Sequence, residues 1–355
     1  MGSRVESSAF SMASGDSKEN RWDVEEEQEL EPEEEVMSEV HIGCPPGFSG
    51  PHISRFTVSF PADCDSRENQ LSGEDGSLKH QMVCVDEDGD LVLTRRRKLS
   101  THCFTLIIQH SITSSIPRVG LQVWKAELAL SDFVLQMIST SKLDDIISVE
   151  LGAGTGLVGM LLARVAKKVF LTDHGDDILG NCLKNVHLNR GLLNHKAALC
   201  VRELDWFRQW PPEVRPENVG SEERFSWTCS EVEEAESAAL IFAADVIYSD
   251  DLTDALFSTL KRLMSRGTEK ILYLALEKRY NFSLNDMDVV ANGYSYFRHY
   301  VRDEGGRSIL DHEESPGFVG RCIDLTQVPQ YVLSYDRGND VEIWEIKYIR
   351  ENSLS

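Results

Sequence analysis

The stretch Val149-Glu150-Leu151-Gly152-Ala153-Gly154-Thr155-Gly156-Leu157 has the residue types and spacing to hold a nucleotide-like ligand. Glycines let backbone turn sharply and approach a ligand closely, and free N–H groups where a helix starts suit a carboxylate or phosphate. Acids follow at regular points. Asp173 closes Val169-Phe-Leu-Thr-Asp173, 19 residues after Gly154, where a carboxylate can accept both hydroxyls of an adenosine ribose. In Leu204-Asp205-Trp206 the acid can accept from an adenine amino group, and Trp206 offers the ring a flat face. Asp245 and Tyr248, in Ala243-Ala244-Asp245-Val246-Ile247-Tyr248, end the strand that lies opposite the glycine turn, where the strand order of such a sheet reverses. Each position also has a plainer use: Asp173 as a helix cap, Trp206 in the core, Asp245 on backbone and Tyr248 in packing.

The glycine spacing discriminates between ligands. A dinucleotide fold asks for G-x-G-x-x-G, and Leu157 stands where its third glycine belongs. A phosphate loop of the Walker type needs Gly-Lys-Ser/Thr, which is absent here. The E-x-G-x-G-x-G form from Glu150 to Gly156 resembles motif I of S-adenosylmethionine (SAM) dependent methyltransferases of the seven-strand class. The Asn/Asp-Pro-Pro-Tyr/Phe run expected of DNA or amide N-methylation is missing at Asp245, and no paired-Glu hairpin of arginine methylation follows it.

These residues need a sheet to hold them. Ile146-Ile147-Ser148-Val149 is a β-branched apolar run suited to a central parallel strand, and Leu157, Val158, Met160, Leu161, Leu162 and Val165 supply a helical face. Strands are expected at 146–151, 168–173, 198–204, 239–247 and 270–276. Helices are expected at 121–138, 156–166, 176–188, 250–265 and near 284–302. A long polar insertion spans 207–237. Alternating strands and helices imply a parallel sheet with right-handed crossovers. Two last strands, near 319–325 and 341–349, have no helix between them and should pair antiparallel at the edge. Upstream, 53–60, 92–93 and 104–109 suggest a small β element. Trp124 falls early in the helix before the sheet, and Glu277-Lys278-Arg279 after the fifth strand reads as a solvated charged loop.

Charge is uneven. The 355 residues carry a formal net charge of −23, and residues 1–40 hold 13 acids against 3 bases. Glu25-Glu26-Glu27 and Glu33-Glu34-Glu35 cannot build a core. Residues 1–50 are therefore expected as a disordered acidic region, 51–117 as the β element and 118–350 as the main domain. Arg95-Arg96-Arg97-Lys98 reads as a solvated loop, with a nuclear-import patch as the alternative. Eight scattered cysteines form no C-x-x-C pair, so no metal site is expected, and free thiols fit an intracellular protein of nucleus or cytoplasm. No apolar run is long enough to span a bilayer.

Taken in order, Trp124, the Glu150–Gly156 loop, Thr172-Asp173, Leu204-Asp205-Trp206 and Asp245-x-x-Tyr248 resemble the protein-lysine methyltransferases called methyltransferase family sixteen, over roughly residues 118–349. Asp86-Glu87-Asp88-Gly89-Asp90-Leu91 and Leu276-Glu277-Lys278-Arg279-Tyr280-Asn281-Phe282 narrow the likeness. The resemblance implies a doubly wound, mostly parallel seven-stranded Rossmann-like α/β sheet with an antiparallel C-terminal hairpin, and SAM as cofactor. It implies that Trp124, Gly152, Ala153, Gly154, Asp173, Trp206 and Ala244 line the SAM pocket, and that Asp245 and Tyr248 border the entrance for a target lysine. The partner is then a lysine-bearing, non-histone protein, basic by complementarity to the acidic chain. Nucleic acid would be met only through that partner, and a monomer is the default. The residues by themselves leave three alternatives open: a SAM-binding adaptor without catalysis, a methyltransferase of a small molecule or nucleic acid, and an NAD-dependent oxidoreductase.

Overall fold

Apolar, β-branched runs bounded by glycine or acid form the central strands, and amphipathic segments between them form the covering helices. The structure is a computed structural model that describes residues 35–41, 50–61, 101–140, 143–208, 210–214, 224–283, 288–304, 317–333 and 335–350. The acidic segment up to residue 34, the 86–91 run, the 92–93 strand and Arg95–Lys98 lie outside them. In chain order the elements are β1 (Glu35–Met37), β2 (His52–Pro61), β3 (Thr101–His110), β4 (Thr113–Ser115), α1 (Lys125–Ser139), β5 (Ile147–Leu151), α2 (Leu157–Leu162), β6 (Lys168–Asp173), α3 (Asp176–Leu188) and β7 (Ala198–Glu203). They continue as α4 (Cys229–Ser237), β8 (Leu240–Ala244), α5 (Asp250–Met264), β9 (Ile271–Glu277), β10 (Asn281–Ser283), β11 (Asp288–Val290), α6 (Asn292–Tyr300), β12 (Val301–Asp303), β13 (Gly317–Cys322) and β14 (Val341–Ile349).

The main sheet runs β12-β13-β14-β9-β8-β5-β6-β7. From β9 to β7 every pairing is parallel. The chain winds outward from β5 through β6 to β7, then returns to β8 and β9 on the other side of β5. The gap above β5 and β8 is therefore the switch point where such sheets bind ligands. The expected antiparallel pair is present: β13 joins β14, and β14 runs antiparallel to β9. Beyond the seven expected strands, the three-residue β12 pairs parallel with β13. Buried Asp132 of α1 holds the β13–β14 connection, accepting from the amides of Tyr331 at 2.8 Å and Val332 at 2.9 Å and from the Arg337 guanidinium at 2.6 Å.

Among the described residues the β2–β3 pair shares the core of the main sheet. Its Phe56, Val58, Leu106 and Ile108 are buried in the cluster formed with α1 and α2. One edge of β3 is paired by side chains rather than by a strand. Asn189 at the end of α3 brackets Ile107, accepting from its amide at 2.9 Å and donating to its carbonyl at 2.7 Å. Asn185, one turn earlier, does the same for Gln109, at 2.7 and 2.9 Å.

Four expectations need correction. Residues 35–41, assigned to the acidic disordered region, form β1 paired with β4 and a turn beyond it. The insertion 207–237 is not merely polar: Trp210, Phe225 and Trp227 are buried, and α4 carries a capping box between Thr228 and Glu231. Its many glutamates hid that anchor. The helix expected near 284–302 is shorter, because β10 and β11 pair as a small hairpin ahead of α6. Helix α2 ends at Leu162 rather than 166.

Segment 35–41 is also held by imidazoles. His41 stacks on His110 with centroids 4.2 Å apart, and His52 meets His110 edge-on at 5.3 Å. Nδ1 of His110 lies 2.9 Å from the Ser111 carbonyl, so it carries the hydrogen, and bare Nε2 takes the Ser54 hydroxyl at 2.7 Å. Burial, and next the His110 ring, pushes His41 down to about 4. The unfolded chain protonates this imidazole near pH 6.5 and the folded chain does not, so its contribution to stability is lost as pH falls from 7 to 5. His41→Phe keeps a stacked ring without the charge. Urea unfolding should show the variant gaining on wild type by roughly 1 kcal/mol between pH 7 and 5. A difference independent of pH contradicts this.

Candidate functional site

The glycine turn fixes the floor of the site. Gly152 follows β5 at φ +64°, where an added Cβ would lie 2.6 Å from Val246 Cγ1 and 3.3 Å from the Trp206 ring. The turn is tied sideways to β6: the Ala153 amide donates to the Thr172 carbonyl at 2.9 Å and the Gly154 amide to Asp173 Oδ2 at 2.7 Å. Asp173 Oδ1 accepts from the His174 amide at 2.8 Å. Each carboxylate oxygen keeps a second lone pair, which suits a diol.

Above this floor lies a cavity of about 490 Å³, within the range of small-molecule sites. All nine residues singled out in the sequence line it: Trp124, Gly152, Ala153, Gly154, Asp173, Trp206, Ala244, Asp245 and Tyr248. The Ile116–Leu121 turn closes one side with Ile116, Pro117, Val119 and Gly120, and the first turn of α5 contributes Asp251 and Leu252. The Trp124 indole N–H donates to the Val119 carbonyl at 3.0 Å, which fixes its ring. Trp206 presents a ring whose indole N–H is buried without a partner among the described residues. Asp205 also lines the cavity, but Oδ1 caps the Phe207 amide at 2.9 Å and Oδ2 faces Arg208 at 3.5 Å.

Two buried acids join them: Glu127, which the sequence did not single out, and Glu150, read there only as the first residue of the glycine motif. Glu127, at the first turn of α1, accepts from the Thr155 hydroxyl at 2.8 Å. Burial pushes its carboxyl up to about 7, against that hydrogen bond and with Asp245 adding to the rise. Glu150, the acid that opens the glycine motif, is 2 % exposed and has one oxygen without a partner. Burial, then neighbouring Glu127, raises it well above the carboxylate range. The signal for Glu127 was present as an acid three residues after Trp124, at capping-box spacing, though nothing in a single sequence says that it faces the cavity.

The opposite wall overturns the solvated-loop reading of 277–279. Asp245 sits at φ +58° with its side chain buried, and the Arg279 guanidinium grips it with two bonds, at 3.0 and 2.7 Å. Arg279 also lies over the Trp124 ring, 4.9 Å from its centroid, and its Nε is 3.7 Å from Glu39. Lys125 pairs with Glu277 and Lys278 with Glu342. Tyr248 stands at the rim, 42 % exposed. Loss of water around its hydroxyl, with Asp173 next, pushes the phenol up to about 12, so it stays protonated at neutral pH.

The donor set fits an adenosyl amino acid. Asp173 suits the ribose hydroxyls, Trp206 an adenine face, and the acids Glu127 and Glu150 a positively charged amino acid end. Among the described residues no group of His, Cys, Asp or Glu could hold a metal ion.

The carboxyl of Glu127 makes this wall pH-sensitive. The folded chain retains a proton up to about pH 7 that the unfolded chain loses near 4.5, so stability falls as pH rises through 7. Moving wild type from pH 8 to 6.5 should add roughly 1 kcal/mol, and Glu127→Gln should flatten that slope in chemical denaturation. An undiminished slope in the variant rules the assignment out.

The family described as Lysine methyltransferase matches residues 103–221 and 217–292. The human protein named Methyltransferase-like protein 22 is 33% identical, covering 75% of this chain and 63% of its own length; its mouse counterpart is 32% identical over 75% and 65%. This chain thus spans less than two thirds of these relatives. Mouse Protein N-lysine methyltransferase METTL21A is 29% identical, over 51% of this chain and 72% of its own.

Proposed function

The chain belongs to the lysine methyltransferase family, and from that premise we propose that it is a SAM-dependent protein-lysine N-methyltransferase that acts on a basic, non-histone protein. The observation that carries the reading is the convergence of the glycine turn, Asp173, both tryptophans, Asp245 and Tyr248 on one cavity at the switch point. In this reading Gly152, Ala153, Gly154, Asp173, Trp124, Trp206 and Ala244 hold the cofactor, with Glu127 beside them. Bound there, SAM supplies an electrophilic methyl group on a sulfonium.

The chain's own residues then have to present a neutral amine in line. Deprotonating a lysine at pH 7 costs about 5 kcal/mol from its reference pKa, and a neighbouring positive charge lowers that cost. Asp245 is poorly placed to take the proton, since both its oxygens are committed to Arg279. Its part is to shape and polarise the wall. Tyr248, protonated at the rim, orients the amine through its oxygen, together with main-chain carbonyls near Asp245. Positioning is the larger part of the catalysis asked of the protein. The net charge of −23 supports a basic partner by long-range steering. The reading extends to an intracellular site, nucleus or cytoplasm, supported by the free thiols of Cys103, Cys182, Cys200, Cys229 and Cys322.

The test is transfer of labelled methyl from SAM into a cell extract, separated into protein, nucleic-acid and small-molecule fractions. We expect label as methyl-lysine in few protein bands, none with Gly152→Arg, and a rate lower by about 10- to 100-fold with Tyr248→Phe, the worth of one orienting hydrogen bond. Label confined to nucleic acid or metabolites overturns the lysine reading.

A further inference from the structure

Asp245 is in a costly position. It has a left-handed backbone, φ +58°, at the end of β8, where a residue with Cβ pays about 1 kcal/mol or more. Its side chain is 1% exposed, and a carboxylate that far from water needs a partner. The acids around it make matters worse: Glu127 from α1, Glu277 from β9 and Glu39 from the turn after β1 all bear on this wall, and Lys125 is committed to Glu277. The cation that touches Asp245 is Arg279, through a two-pronged fork that a lysine could not reproduce.

Arg279 is itself fixed from two further directions. It lies over Trp124, and Glu39 approaches its Nε. The segment carrying Glu39 is pinned in turn: the Ser38 amide donates to Gln122 Oε1 at 2.7 Å, and Gln122 Nε2 donates to the Val36 carbonyl at 3.0 Å. Glu39 precedes the family match, which begins at residue 103.

We propose that Arg279 is a positioning residue of the cavity: by neutralising and orienting Asp245 it lets a ligand be seated against that wall, with Glu39 holding the arginine in register. The inference rests on the reading of the cavity as the SAM site. Closing a ligand over an unneutralised carboxylate strips water from a charge that nothing replaces. With Arg279 in place that cost is already met.

The test is calorimetric binding of S-adenosylhomocysteine to the full chain from pH 6 to 9, for wild type, Arg279→Met, Arg279→Lys and the double variant Arg279→Met with Asp245→Asn, each with its melting temperature. Arg279→Met should bind about tenfold more weakly than wild type at pH 8. The loss should shrink towards pH 6, because a buried Asp245 without its arginine takes up a proton there. The double variant should return to within about threefold of wild type at every pH, and Arg279→Lys should fall between. Glu127 titrates in all four proteins and is raised by the charge on Asp245, so each is also measured with Glu127→Gln, which removes that titration. Two results overturn the inference: wild-type affinity in Arg279→Met at all pH values, or an equal loss at every pH that the double variant does not recover, which would make Arg279 a scaffold for Trp124 alone. Failure of wild type itself to bind S-adenosylhomocysteine overturns the cofactor reading, and this inference with it. The two failures are told apart by the wild-type arm.

Discussion

The backbone amide of Gly154 donates to the Asp173 carboxylate at 2.7 Å, and the geometry of the site depends on that contact. It joins the turn after β5 to the tip of β6, so two adjacent strands end in one rigid cradle. Gly154 reaches it with φ +50°, and a Cβ there would stand 3.0 Å from the Gly120 carbonyl. The Ile116–Leu121 turn is thus drawn close enough to form the facing wall. A side chain at this position would push cradle and wall apart by a few tenths of an ångström and strain a left-handed backbone. The cavity is a consequence of the sheet's switch point and this one close approach, more than of any single lining side chain.

A second constraint is charge. Glu127, Glu150, Asp173 and Asp245 all border one desolvated space. The fold settles each differently. Glu127 and Glu150 are driven towards their protonated forms by burial. Asp173 accepts two backbone amides. Asp245 is matched by the Arg279 fork. A cation beside Glu127 or Glu150, such as an amino acid ammonium, would favour their ionised forms and be held by them, and our functional reading uses that property.

Much of this was legible in the sequence because strand ends carry it. A buried strand, a glycine turn and an acid at the next strand's tip have fixed spacings, so Gly152, Gly154 and Asp173 could be placed without coordinates. Asp245 and Tyr248 followed from the sheet's winding. What stayed hidden depends on contacts between distant segments. Glu39 and Arg279 are 240 positions apart and each reads as a surface charge. Nothing in the sequence marks Asn185 and Asn189, yet they complete the edge of β3. Residues 35–41 follow an acidic run and look unstructured, although Ser38 and Gln122 bind them to the wall. Trp210 and Trp227 were masked by the glutamates around them.

A crystal structure of the full chain with S-adenosylhomocysteine tests the central claim most directly. The account predicts the ligand in the cavity at the switch point, its ribose hydroxyls on Asp173, its adenine against Trp206, and its sulfur towards the Asp245–Tyr248 wall with the Arg279 fork intact. A ligand bound in the reverse sense, with its sulfur away from Tyr248, or one bound outside this cavity, would contradict it.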